Sequence, residues 1–156
     1  MNRRLTISYL YIAFAGLALT QCAPPPKPPP VVTLLMKGSA DQNPGTGGAP
    51  SPVAVKVFEL TATAKFERAD VFALTEREQQ TLGADSLGSQ EFVLSPSESR
   101  TVVIEPKPTV QSIGVVALFR DIDQAQWRAV APIATSGPTK LAVTIGKLSV
   151  TLKPAP

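Results

Sequence analysis

Ser112-Ile113-Gly114-Val115-Val116-Ala117-Leu118-Phe119 is the stretch that decides the fold. It is almost wholly apolar and carries three β-branched aliphatic residues, so it reads as a central strand covered on both faces. Side chains alternate along a strand. Val115 and Leu118 are therefore expected on opposite faces, both substantially buried.

Upstream, Pro52 opens a second strand through Leu60. Val53, Val55 and Val57 share one face at period two, while Ala54, Lys56, Phe58 and Leu60 share the other. The valine face has the better claim to the core, and Phe58 and Leu60 predict that the far end is covered on both sides. Val31–Met36, Glu91–Leu94, Arg100–Glu105, Gln126–Ile133, Leu141–Ile145 and Leu148–Leu152 give further strand signals. Turn residues separate them, at Pro96-Ser97-Glu98 and Gly146-Lys147 among others. Many short strands punctuated by turns predict an all-β fold, a β-sandwich or a barrel.

One stretch departs from this pattern. Residues 64–82, with Phe66, Ala69, Asp70, Phe72 and Leu74, read as short helical or irregular additions. Thr75-Glu76-Arg77-Glu78 has capping-box spacing. It predicts a helix through Leu82, ended by Gly83.

Gly38–Ser51 is dense in Gly, Pro, Asn and Asp, which argues against regular structure. Hairpin loops need only about two to five residues. The length of this loop marks it as functional or disordered, and on the functional reading it is the candidate binding surface. Asp41, Gln42 and Asn43 offer polar groups to a partner. Gly45, Gly47 and Gly48 let backbone approach a partner closely and are expected to keep the loop flexible.

The N-terminus carries its own signal. Arg3 and Arg4 precede an apolar run from Leu5 to Leu19, shorter than the about 20 residues a membrane-spanning helix needs. That is the pattern of an export signal, assigned to residues 1–21. The single cysteine, Cys22, follows directly, so no intrachain disulfide exists. Next comes Ala23-Pro24-Pro25-Pro26-Lys27-Pro28-Pro29-Pro30. Consecutive prolines favour extended polyproline II, a stiff spacer. Residues 22–30 are thus read as a tether and 31–156 as the sandwich domain.

Composition narrows the chemistry. The formal charge is +3, of which Arg3 and Arg4 leave with the signal. The other basic residues are scattered, and nucleic-acid binding asks for a stripe or patch. The chain has no histidine, which removes histidine-activated nucleophiles and histidine metal ligands. No cofactor is expected. Carboxylate-only catalysis survives as a rival, and would need two acidic groups facing each other across a pocket. A small-ligand or glycan-binding sandwich is the other rival. It would need exposed aromatics, yet both tyrosines, Tyr9 and Tyr11, lie in the signal and only Trp127 stands as tryptophan.

Two resemblances sharpen the reading. Leu19-Thr20-Gln21-Cys22 resembles the lipobox of bacterial lipoproteins, with Gln21 where a small residue is usual. The resemblance implies cleavage before Cys22 and acylation of its thiol. Ala23, in place of the aspartate of inner-membrane retention, implies the outer membrane, facing the periplasm. Within the domain, Asn43, Gly48-Ala49-Pro50-Ser51-Pro52, Val53 to Leu60, Phe66, Ala69 to Leu74, Leu94-Ser95-Pro96, Gly114 to Asp121 and Trp127-Arg128 together resemble the outer-membrane lipoproteins of type VI secretion systems, the TssJ (SciN/VasD) family. Ala49 stands where that family carries an arginine. The resemblance implies a two-sheet, transthyretin-like β-sandwich with short helical additions. It also implies a partner, the periplasmic domain of the IcmF-like (TssM) inner-membrane protein, met through the loop between the first two strands. Neither a small-molecule substrate nor an enzymatic activity is implied. Trp127 is expected in the core more than at an interface, because large aromatics dominate burial. Arg120, Asp121 and Arg128 could meet a partner, but are expected in structural pairs or turns more than at an interface.

Overall fold

The computed structural model describes residues 25–156. The expected export signal and Cys22 lie outside the described residues. Eight strands and three short helices follow one another in the order β1 (Pro30–Gly38), β2 (Val53–Leu60), α1 (Ala64–Arg68), α2 (Val71–Glu76), α3 (Glu78–Leu82), β3 (Ser86–Leu94), β4 (Ser99–Ile104), β5 (Ser112–Leu118), β6 (Arg128–Pro132), β7 (Gly137–Ile145) and β8 (Val150–Pro154). They form two four-stranded sheets, ordered β4-β1-β7-β8 and β3-β2-β5-β6. All pairings are antiparallel except β1 with β7, which run parallel from Pro30↔Gly137 to Gly38↔Ile145.

Alternation along the strands builds the core between the sheets. Val32, Leu34 and Met36 of β1 and Leu141, Val143 and Ile145 of β7 meet Val53, Val55 and Val57 of β2 and Ile113, Val115 and Ala117 of β5. The valine face of β2 thus points inward as expected. The opposite faces of β2 and β5 form a second apolar layer beneath the helices, where Phe58, Leu60 and Val116 pack on Phe66, Leu74 and Leu82. Leu118 joins this layer half-buried, while Val115 is fully buried in the first. β5 is therefore covered on both sides, which is why its sequence shows no polar face.

Gly114 makes room for the helical layer. A methyl group there would fall 2.7 Å from Phe66 Cζ and 2.9 Å from Leu60 Cδ1. The Phe66 ring sits edge-on to Phe58, with centroids 5.3 Å apart. Arg128 fastens the end of α1, its Nη1 donating to the carbonyls of Phe66 (2.8 Å) and Ala69 (2.9 Å). Such a cation on orphan helix carbonyls is a favoured C-terminal arrangement. Trp127 is half-buried against both apolar layers, with the Arg128 guanidinium 4.7 Å from its ring centroid.

The expected capping box does not form. Thr75 Oγ1 instead donates to Val71 O at 2.9 Å. Glu78 reaches away to Lys56 Nζ (2.9 Å) and accepts from the hydroxyls of Ser86 and Ser89. The single helix expected through Leu82 is broken at Arg77, whose φ of −129° and ψ of 36° separate α2 from α3. The cap that does form is Asp70, whose Oδ1 accepts from Ala73 N at 2.8 Å. Gly83, with φ at +54°, ends α3 as expected.

Candidate docking loop

The β1–β2 connection leaves the sandwich at the end of β1 remote from the proline-rich segment that precedes the strand. It is not a loose strap. Ser39 N donates to Ile145 O (2.8 Å), and Asn43 N to Lys147 O (2.9 Å), which ties the loop to the β7–β8 hairpin. Ser97 N donates to Ser39 O (3.2 Å), which ties the loop to the β3–β4 turn. That turn is itself held by Glu98, whose Oε2 accepts from Ser95 N at 2.8 Å and whose Oε1 accepts from Arg100 Nη2 at 2.8 Å. The backbone hydrogen bond from Ser95, helped by Arg100, holds the Glu98 carboxyl below its ordinary pKa.

Gln42 and Asn43 are buried beneath the loop, at 0% and 3% exposure. Gln42 Nε2 donates to Leu94 O at 2.7 Å, and the rest of its amide lies against Gly38, where an added methyl would come within 2.2 Å of Gln42 Oε1. Asn43 Nδ2 donates to Pro52 O at 2.6 Å, while its Oδ1 accepts from Arg120 N at 2.8 Å. One side chain therefore joins the loop to the start of β2 and to the β5–β6 connection. Its backbone is left-handed, with φ at +45°, a conformation asparagine tolerates better than other non-glycine residues.

These positions correct two expectations. Gln42 and Asn43 do not offer their polar groups to a partner, because both are buried and internal hydrogen bonds occupy Gln42 Nε2 and both ends of the Asn43 amide. Nor do the glycines leave the whole loop slack. The bracing confines the projecting part to the tip, where Gly45 N donates to Ala49 O (2.9 Å) and Gly48 N to Gly45 O (2.8 Å). Asp41 is exposed beside the tip and accepts from Ser39 Oγ at 2.7 Å. Gly47 and Gly48 are exposed, and a methyl group at Gly47 would meet nothing within 4 Å. Gly48 has φ at +78°.

Sequence reasoning placed Arg120 and Asp121 in a structural pair or turn and did not join them to the loop that the bracing brings beside them. Arg120 lies over Gly45, its Nη1 3.4 Å from where a Gly45 Cβ would stand. Pro44, Gly45, Thr46, Arg120 and Asp121 line a groove of about 300 Å³. Arg120 also borders a second groove of about 340 Å³, walled by Val71, Phe72, Leu118 and Ile122, in which Phe72 is 60% exposed. Asp70 and Asp123 share a third groove with Phe72, Ile122 and Trp127. Asp70 is engaged as the α2 cap, and both carboxylates are solvated. No local signal announced the Asn43 bond to Arg120 N. A residue before proline ordinarily takes extended backbone, whereas Asn43 is left-handed at φ +45°.

Fold and site together define a two-sheet sandwich module that displays a braced loop at one end. The chain belongs to the type VI secretion lipoprotein family (VasD, EvfM, TssJ), whose sequence pattern it matches over residues 30–148. It is similar to the type VI secretion lipoprotein TssJ1 of Pseudomonas aeruginosa, at 32% identity and a TM-score of 0.80, covering 83% of this chain and 98% of that one. It shares its fold with Serratia marcescens Lip, a membrane-bound component of the type VI secretion system, at 23% identity and a TM-score of 0.73, covering 82% and 97% of the two chains. The fold also matches a chain of a structure described as the TssM C-terminal domain from EAEC, at 24% identity and a TM-score of 0.69, covering 80% and 98%. No curated protein matches the chain by sequence.

Proposed function

We propose that this chain is an outer-membrane lipoprotein that faces the periplasm and docks the periplasmic domain of the IcmF-like (TssM) inner-membrane protein. The single observation that carries the reading is the braced loop at the end of the sandwich opposite the tether. β1 connects the two directly, from Pro30 at the tether to Gly38 at the loop. Its length, at about 3.3 Å per residue, holds the base of the loop roughly 26 Å from the tether. Membership in the secretion lipoprotein family supports the assignment, as does the occurrence of this fold in a structure described by the name TssM.

The docking surface is the tip, Asp41 with Gly45, Gly47 and Gly48, continued by Arg120 and Asp121. Gln42 and Asn43 act from beneath by fixing the tip's shape. A fixed tip avoids the ordering cost of a mobile loop. Multiple anchored copies in an assembly would add avidity.

Gly47→Trp tests the docking surface. Open space surrounds position 47, so the fold tolerates the indole while a seated partner does not. Calorimetry with the partner's periplasmic domain is expected to show affinity falling at least about tenfold, a loss of about 1.4 kcal/mol. Unchanged affinity in the folded variant would place the interface elsewhere. The anchor is tested separately. Cys22→Ser removes the acyl acceptor, so metabolic fatty-acid label is expected on the wild type and absent from the variant. Equal label on both would end the lipoprotein reading of Cys22.

A further inference from the structure

We infer that the outward face of the β4-β1-β7-β8 sheet rests on the anionic phospholipid surface to which the tether leads, and so fixes the domain's orientation on the membrane. The inference rests on the reading of Cys22 as the acylated anchor.

The two flat sides of the sandwich differ. The outward side of the β3-β2-β5-β6 sheet is covered by the helices. The outward side of the other sheet is bare. Strand register places Lys37, Lys140 and Lys153 on it, together with Leu35, 39% exposed, and Val103, 60% exposed. Thr33 lies between Val103 and Lys140, and Leu35 lies beside Ala142, which pairs with Lys153. All three lysines are exposed, and none forms a salt bridge among the described residues. The outward positions of the four strands hold no carboxylate. Glu105 follows β4 at the tether end and is the nearest acidic residue in the same alternation.

The helical side is close to balanced, with Lys56, Lys65, Arg68, Arg77 and Arg128 against Glu67, Asp70, Glu76, Glu78, Asp85 and Glu91. Excess positive charge therefore lies on the bare face and not on the helical one. An anionic surface attracts the bare side in preference. A second copy of the chain is a poor occupant, because two basic faces repel.

Tether geometry favours lipid as the occupant. The tether enters this sheet and not the other. Gly137 N, at the start of β7, contacts the carbonyls of Pro28 and Pro29 at 3.3 and 3.2 Å. Cys22 precedes Pro30 by eight residues, so the chain between them spans at most roughly 28 Å. An anchored domain is thus held where each lysine lies within reach of headgroups, and a weak attraction suffices. Juxtamembrane basic residues bind anionic bilayers by this means, and salt screens them.

The test uses the full acylated chain on vesicles of phosphatidylcholine with or without phosphatidylglycerol. A fluorophore at Val103→Cys, and in a second protein at Gln79→Cys on the helical side, is read by lipid-borne quenchers. Quenching is expected at 103 and not at 79. It should require phosphatidylglycerol and fall to the level of position 79 with Lys37→Gln, Lys140→Gln and Lys153→Gln together or at high salt. Equal quenching at both positions, or a signal indifferent to the triple substitution, overturns the inference. If the protein fails to float with vesicles, acylation itself has failed. The Cys22→Ser chain at high lipid then reads the face alone, and the triple substitution is expected to lower its partition ten- to a hundredfold, at about fivefold per lysine. No loss of partition refutes the face. A triple variant that loses binding to isolated peptidoglycan and keeps its vesicle signal assigns the lysines to the cell wall instead.

Discussion

Asn43→Ala should be among the most costly single changes at the loop end. Three effects contribute. The Arg120 amide loses its acceptor and the Pro52 carbonyl loses its donor. Each group left unpaired costs about 1 kcal/mol, the low end of the range because both sites are part-buried. Alanine must also hold a left-handed backbone at φ +45°, at roughly 1 kcal/mol. The total is about 3 kcal/mol, a large share of the roughly 5–15 kcal/mol that stabilises an ordinary domain. Urea unfolding is the assay, and with a slope of about 1.5–3 kcal/mol/M the midpoint should fall by 1–2 M. Asn43→Gly separates the terms. It relieves the backbone strain without restoring either hydrogen bond, so it should cost about 2 kcal/mol. Both variants should also weaken partner binding by loosening the tip. Asn43→Ala within about 0.5 kcal/mol of wild type, the level of an inert surface change, would refute the bracing argument. Equal losses for alanine and glycine would remove its backbone part.

Two further perturbations test the layers behind the loop. Gly114→Ala drives a methyl into Phe66 and Leu60 and should destabilise by about 1–3 kcal/mol, as overpacking does. Combining it with Phe66→Leu should recover part of that loss, and a fully additive double variant would contradict the packing. Glu78 gives a pH signature. Burial acts to raise its carboxyl, but hydrogen bonds from Ser89 and Lys56, the Lys56 charge and the Ser86 hydroxyl outweigh it, so the folded pKa lies below 4.5. A depressed carboxylate contributes stability above its unfolded pKa and loses it as pH falls through the folded value. The stability gap between wild type and Glu78→Gln should therefore be full near neutrality and shrink below pH 4.5, read from urea midpoints across that range; a gap that widens on acidification would contradict the assignment.

The sequence made the strands readable where burial leaves a period. Val53, Val55 and Val57 alternate with half-exposed Ala54 and Lys56, and β5 lacks a polar face because the sheet core and the helices cover it from both sides. The parallel β1–β7 pairing left no local trace, since it joins segments over 100 residues apart. The helices show how a correct spacing can mislead. Thr75 and Glu78 fit a capping box, yet Lys56 of β2 and two serines of β3 hold the Glu78 carboxylate. Tertiary partners decided the matter, and local propensity did not. The loop was legible as a site from its length and residue types. Its interior was not, because Gln42 and Asn43 read as exposed polar groups until Leu94, Pro52 and Arg120 come to meet them.

The central claim, that the braced tip is the docking surface, is tested most directly in cells. A photoreactive residue at position 47, where open space accommodates it, would be compared with one at Gln79 on the exposed side of α3. On irradiation, position 47 should cross-link to the IcmF-like partner, the product should disappear when Asn43→Ala loosens the tip, and position 79 should give none. A cross-link to that partner from position 79, with none from position 47, would contradict the account.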